Sequence, residues 1–149
     1  MRLRLILIGG VLVLSACVRQ VAPTTPAATT RNTAALLDTG WKLVQLGDQV
    51  IDLPAGSREI YFVLHSANQR VEGFSGCNHM MGSYVLDGAK LRFEQMAGTM
   101  MACVPDMELE RKFLAMFPLV ARWDISGVTL RLLDSQGEPL ATFAARDLH

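Results

Sequence analysis

The sequence has no excess of charge of either sign, because 14 Lys and Arg balance 14 Asp and Glu over 149 residues. It also has no cluster of Lys and Arg side chains. Proteins that bind nucleic acids carry a basic patch or stripe that neutralises phosphates. We therefore expect no nucleic-acid partner.

The sequence also lacks the short motifs that mark common catalytic and metal sites. It contains no Gly-rich phosphate loop, no Cys-x-x-Cys and no His-Glu-x-x-His. A nucleophile elbow would need Gly two residues after Ser75, and that position is Cys77. A catalytic triad would need a positioned His, and the only candidates are His65, His79 and His149. We therefore expect no enzymatic activity, no catalytic residue and no cofactor.

The apolar run near the start of the chain is too short to cross a bilayer, which takes roughly 20 residues. This run, Leu5–Leu14, has ten residues, follows Arg2 and Arg4, and leads into Ser-Ala-Cys17. A positive start before a short apolar run is the pattern of a secretory signal. Small residues before a Cys resemble the bacterial lipobox. The pattern predicts a signal peptide over residues 1–16 and acylation of Cys17, detectable with palmitate; the alternative is an ordinary cleaved signal.

The segment after Cys17 is rich in Thr, Pro and Ala and has no aromatic residue. Such a segment buries too little apolar surface to offset the entropy of ordering. We predict a flexible, lipid-anchored linker over residues 17–38 and one folded domain over residues 39–149. Ala34–Leu37 fits either a first helical turn of that domain or plain linker. Val18 after the Cys resembles the sorting pattern of outer-membrane lipoproteins, so we expect the domain to face the periplasm.

The folded region is dominated by short β-forming runs separated by turn residues. The predicted strands are residues 41–46, 50–53, 59–64, 70–74, 83–86, 90–93, 120–125, 128–132 and 140–143. Asp87–Gly88 predicts a tight hairpin between two of them, because it supplies positive φ angles. The order of strands, helix and strands predicts an α+β fold: a strongly curled antiparallel sheet, open and barrel-like, with one covering helix.

The single predicted helix lies between two prolines. Pro105 fits a first helical turn, and Pro118 ends the helix. Apolar side chains at helical spacing form one stripe: Leu109, Phe113, Met116 and Phe117. We place Glu110 on the opposite face, where its removal would change the free energy of unfolding by no more than about 0.5 kcal/mol.

Methionine and cysteine are concentrated in two segments, Phe74–Tyr84 and Met96–Cys103. One interpretation is a Cu(I) site, since thioether, thiolate and imidazole groups suit that soft ion. Its ligands would come from Cys77, His79, Met80, Met81, Met100, Met101 and Cys103. The other interpretation is that Met fills gaps in the core and that Cys77 and Cys103 form a disulfide. We favour the disulfide, because an exported thiol pair usually oxidises and a disulfide sulfur is no thiolate ligand.

Several segments together resemble the META domain, the family of HslJ-like heat-shock lipoproteins. They are Gly40-Trp-Lys-Leu, Gly73-Phe-Ser-Gly-Cys-Asn-His-Met-Met-Gly-Ser-Tyr, Met96-Ala-Gly-Thr-Met-Met-Ala-Cys, Glu110–Phe113, and Trp123-Asp-Ile before Leu130-Arg-Leu. The resemblance covers about residues 40 to 145. Met100 stands where the commoner Thr-Arg-Met-Ala-Cys form has Arg. The resemblance implies a small α+β domain, often lipid-anchored in the periplasm and linked with envelope stress, without an established catalytic residue.

The expected function is a non-enzymatic binding or structural module of the cell envelope. Its partners would be the membrane, through the lipid anchor, and an envelope protein or small apolar ligand. One alternative is a carrier of small molecules or acyl chains, which requires an apolar cavity. Another is a Cu(I)-binding periplasmic protein.

Overall fold

The computed structural model describes residues 33–101, 103 and 107–146 of the chain. Within these residues the chain forms nine strands, one α-helix and one 3-10 helix. In chain order they are β1 Gly40–Leu46, β2 Gln49–Val50, β3 Tyr61–His65, β4 Arg70–Phe74, β5 His79–Asp87, β6 Lys90–Gly98, α1 Met107–Met116, the 3-10 helix Phe117–Leu119, β7 Arg122–Ser126, β8 Thr129–Leu133 and β9 Pro139–Arg146.

Eight of the described strands form a ring of antiparallel pairs, from β1 through β3 to β9 and back to β1. β2 pairs with the last two residues of β1. The ring is not a regular barrel, because β6 and β7 share only the pair Lys90–Arg122. The connection between these two strands contains α1 and the 3-10 helix. The prediction of an α+β fold with a strongly curled antiparallel sheet and one helix is confirmed.

The core is a set of aromatic rings enclosed by the sheet. Phe62 on β3 lies near its centre, in edge-on contact with Phe93, Phe117 and Phe143 at centroid distances of 5.9, 6.2 and 4.9 Å. Phe113 of α1 contacts Phe117 at 5.1 Å. Edge-on contacts of this kind add to the stabilisation from area burial. The helix therefore belongs to the core through the apolar side chains that the sequence predicted.

The hairpin around Gly88 is longer than predicted. Asp87 pairs with Lys90, so that Gly88 and Ala89 form the loop, and of these only Gly88 has a positive φ, +55°. Its strands reach back to residue 79 and on to residue 98, so the predicted bounds 83–86 and 90–93 are too narrow. The predicted strand 50–53 is too long, since β2 ends at Val50.

Glycine is required at one close approach within the sheet. Gly73 on β4 pairs with Phe62, and an added Cβ at Gly73 would overlap the carbonyl oxygen of Tyr61. No other residue type leaves room for that oxygen. The tight curl at β3 and β4 thus depends on this position.

The packed part of the chain begins at about Ala34 rather than at residue 39. Leu36 is 6% exposed, and its carbonyl accepts a hydrogen bond from Trp41 Nε1 at 2.9 Å. Asp38 accepts a hydrogen bond from the backbone N–H of Ser66 at 3.0 Å, and hydrogen bonding from Ser66 lowers the pKa of the Asp38 carboxyl. The end of the predicted linker therefore belongs to the domain, because its apolar side chains complete the core.

The predicted signal peptide, Cys17 and the linker up to residue 32 lie outside the described residues. Among the residues that the structure describes, no helix has the length and apolar character needed to span a membrane.

Candidate functional site

The two segments singled out in the sequence meet around the side chain of Asn78. Asn78 Oδ1 accepts hydrogen bonds from Thr99 Oγ1 and from the backbone N–H of Met101, both at 2.7 Å. Asn78 Nδ2 donates to the carbonyl of Met101 and to Glu110 Oε2, both at 3.2 Å. One amide side chain therefore connects the turn before β5, the loop after β6 and helix α1.

Glu110 is the second centre of this arrangement, and only 4% of it is exposed. Its Oε1 accepts a hydrogen bond from the backbone N–H of Asn78 at 3.0 Å and a second one from Ser75 Oγ. The Ser75 hydroxyl also lies 2.8 Å from the carbonyl of Asn78, so its hydrogen bond is bifurcated. We call Ser75, Asn78, Thr99, Met101 and Glu110 the Asn78 cluster.

The placement of Glu110 on an exposed face was wrong. Glu110 lies three residues before Phe113 and seven before Phe117, and these spacings put all three side chains on one side of a helix. The prediction placed Glu110 on the exposed face because its side chain is charged, although its helical spacing places it on the buried face. The helical periodicity alone contained the signal that would have found this residue.

The disulfide lies beside the Asn78 cluster. Cys77 and Cys103 are bonded, with their Cα atoms 5.8 Å apart. The Cys77 side chain is buried and Cys103 is half-buried. The bond joins the loop after β6 to the turn before β5, which contains Asn78. It acts together with the hydrogen bonds of Asn78, because both join the same two segments.

The seven candidate Cu(I) ligands do not converge on one point in the structure. Met80 points into the core, whereas its neighbour Met81 is exposed, as alternation along β5 requires. Met100 is 100% exposed and Met101 about half exposed. The two Cys sulfurs are consumed by the disulfide. The described residues also contain no group of three or more His, Cys, Asp and Glu that could hold a metal ion.

Ser75 is a structural residue rather than an exposed nucleophile. It is fully buried, and its hydroxyl is occupied by Glu110 and the Asn78 carbonyl. No His takes part in these contacts. Of the three His, His65 ends β3 and His79 begins β5, two strands that β4 separates, and His149 lies outside the described residues. Every buried side-chain nitrogen and oxygen of the described residues has a hydrogen-bond partner.

A small open groove lies against the Asn78 cluster. Its volume is about 200 Å³. Its walls contain the apolar side chains of Leu53, Ile60, Phe74 and Leu109 and the charged residues Arg58 and Glu110. Ser57 and Gly76 complete the lining. We call this the Glu110 groove.

Arg58 is fixed at the Glu110 groove by an aromatic ring. Its guanidinium carbon lies 3.9 Å from the centroid of Phe74, which is a favourable cation–π distance. Phe74 in turn contacts the His79 ring at 5.6 Å. The sequence offered no signal for this site, because Arg58, Phe74 and Glu110 come from three separate segments.

Comparison with known proteins places these features in a family context. The family model of the META domain matches residues 34–147. An NMR structure of a protein from Burkholderia xenovorans is 30% identical, with a TM-score of 0.61, and the match covers 92% of this chain and 100% of that one. A second NMR structure is 18% identical, with a TM-score of 0.58, over 73% and 90% of the two chains, and it shows the fold alone. A comparison with curated proteins finds no significant match.

Proposed function

The chain belongs to the META domain family, and from that premise we propose that it is a non-enzymatic, lipid-anchored module of the bacterial cell envelope. In this proposal Cys17 carries the acyl chains and residues 18–32 are the spacer. The folded domain then acts in the periplasm, by binding or supporting an envelope protein during stress.

The observation that carries this proposal is that the polar residues of the Asn78 cluster have a structural role. The side chains of Ser75, Asn78 and Glu110 are buried, and each is used in holding three segments together. A catalytic nucleophile or proton carrier needs a free reactive atom, whereas these side chains are engaged in hydrogen bonds with one another and with the backbone. The disulfide between Cys77 and Cys103 suits an oxidising compartment outside the cytoplasm. Both features support an exported domain whose function is binding.

The interior of the domain bears on the acyl-chain alternative. Its centre is occupied by the edge-on rings of Phe62, Phe93, Phe117 and Phe143. An acyl chain would have to displace these side chains, because protein cores are close-packed. The filled interior therefore favours a binding surface over an internal carrier site. The Cu(I) alternative would require reduction of the disulfide first.

Metabolic labelling tests the anchor. We expect labelled palmitate to enter the wild-type chain and the chain with both Cys77→Ser and Cys103→Ser, and to be absent from Cys17→Ser. The double variant is the matched control, because it removes thiols without touching the lipobox. Label that persists in Cys17→Ser would overturn the proposal. Crosslinking in intact cells, followed by mass spectrometry, then identifies the envelope partner.

A further inference from the structure

The Glu110 groove contains two opposite charges that the protein itself leaves unpaired. No ion pair of the described residues includes Glu110 or Arg58. Glu110 is buried and accepts hydrogen bonds only from neutral groups, whereas Arg58 is exposed. A groove with one unpaired acid and one unpaired base is therefore suited to a ligand that carries both complementary charges.

The carboxylate of Glu110 has capacity for one more donor. Oε1 already accepts from Ser75 Oγ and from the backbone N–H of Asn78, and Oε2 accepts only from Asn78 Nδ2. A carboxylate has about four lone-pair sites, so that Oε2 can accept a further hydrogen bond. An ammonium group is the complementary ligand group, because it donates hydrogen bonds and carries the charge opposite to that of a carboxylate.

The guanidinium of Arg58 is available for an anion. It rests against the face of Phe74, a contact that uses its charge but none of its N–H donors. Guanidinium groups bind carboxylates through two parallel hydrogen bonds. The aromatic ring limits the motion of the guanidinium, and less entropy is then lost when an anion binds.

Size and polarity narrow the ligand further. The groove holds about 200 Å³, which is the volume of about seven water molecules, and this is below the range typical of drug-sized ligands. A simple amine would be repelled by the positive charge of Arg58, and a simple carboxylate would be repelled by the negative charge of Glu110. We propose that the Glu110 groove binds a free aliphatic α-amino acid, with its ammonium group on Glu110, its carboxylate on Arg58 and its side chain against Leu53, Ile60 and Leu109.

Calorimetric titration of the full-length chain in mild detergent tests this proposal, with L-leucine as the probe. Isopentylamine and 4-methylpentanoate keep the aliphatic body but remove one charge each. We expect leucine to bind at least about tenfold more tightly than either analogue, because only leucine pairs both charges. No leucine binding up to about 10 mM, or equal binding of one analogue, would overturn the proposal. Tighter binding of phosphoethanolamine than of leucine would overturn the amino-acid assignment.

A charge-removing variant separates the groove from the rest of the surface. Arg58→Met should weaken leucine binding about tenfold, and Arg111→Met, which removes an exposed charge of α1 outside the groove, should leave it unchanged. Both residues are exposed, so we expect both variants to fold, and their melting temperatures should match the wild type. Unchanged affinity in Arg58→Met would contradict the proposal. Leucine binding does not require Cys17, so either proposal can fail without the other.

Discussion

Glu110 is held at both of its oxygens by one residue, Asn78. The backbone N–H of Asn78 donates to Oε1 at 3.0 Å, and Nδ2 of the same residue donates to Oε2 at 3.2 Å. Helix α1 is therefore attached to the sheet by a carboxylate as well as by its apolar face.

Replacement of Glu110 should destabilise the domain far more than replacement of its neighbour Glu108. Glu110→Ala leaves the backbone N–H of Asn78 and one N–H of its side-chain amide buried without an acceptor, each at a cost of about 1–3 kcal/mol that water can reduce in part. Ser75 Oγ keeps the carbonyl of Asn78 as its acceptor. We expect a loss of about 2–4 kcal/mol in the free energy of unfolding, measured in urea. Glu108→Ala is the control: its carboxylate is exposed and pairs with Lys112 at 2.9 Å, which is worth about 0.5 kcal/mol or less. Equal losses would contradict this role of Glu110.

Asn78→Asp should be a sensitive probe of the same contact. The substitution keeps the shape of the side chain but places a second carboxylate against Glu110 Oε2, so that a donor becomes a like charge. We expect a loss of at least about 2 kcal/mol at neutral pH. The loss should shrink as the pH falls from neutral toward about 4, the ordinary pKa of a carboxyl group, because repulsion raises the pKa of one carboxyl of the pair and its protonation relieves that repulsion. The control is Asn68→Asp, which retains the acceptor for the Arg70 N–H; a similar loss there would show a general charge effect.

Phe113→Ala should create a cavity at the contact between helix and sheet. Phe113 is 0% exposed and contacts Phe117 and Phe143 at centroid distances of 5.1 and 6.3 Å. We expect the free energy of unfolding to fall by about 3–5 kcal/mol. Leu119→Ala, at an exposed position of the 3-10 helix, should change it by no more than about 0.5 kcal/mol. Thermal unfolding followed by circular dichroism measures both, and a mild effect of Phe113→Ala would place the helix outside the core.

The disulfide should account for a sizeable part of the stability. It closes a loop of 103 − 77 + 1 = 27 residues, for which the chain-entropy model gives about 3.5 kcal/mol at 25 °C. We expect the double variant Cys77→Ser, Cys103→Ser to lose about that amount, and dithiothreitol to lower the stability of the wild type but not of the variant. Alkylation of the unreduced, unfolded protein and mass measurement report the bond directly. Two free thiols would contradict it and reopen the Cu(I) alternative.

The start of the folded domain can be located by truncation. A chain that begins at Thr33 retains Leu36, whereas one that begins at Thr39 loses this buried side chain and the acceptor of Trp41 Nε1. We expect the shorter chain to be less stable by about 2–3 kcal/mol. Urea unfolding of the two chains measures the difference. Equal stability of the two chains would show that the folded domain begins at residue 39, as the composition of the sequence predicts.

Composition and periodicity were sufficient for the sheet but insufficient for its exact limits. Each strand that the sequence predicts overlaps an observed strand. β-branched and aromatic residues favour strands both by local preference and by burial, so that their runs between turn residues mark the strands. β5 and β6 nevertheless extend through the Met-rich segments to residues 79 and 98. Met has no strong preference for strands, so these residues are strands because they pair with neighbouring strands across the sheet.

The fold class, the apolar face of α1 and the candidate sulfur pair follow from the amino-acid sequence, because each depends on local periodicity or on the chemistry of a residue type. The contacts of Glu110 with Asn78, and its place in the same groove as Arg58, come from the tertiary structure alone. These residues are separated by 32 and 52 positions along the chain. A contact between such distant residues depends on how the sheet curls and where the helix docks, and no local pattern encodes either.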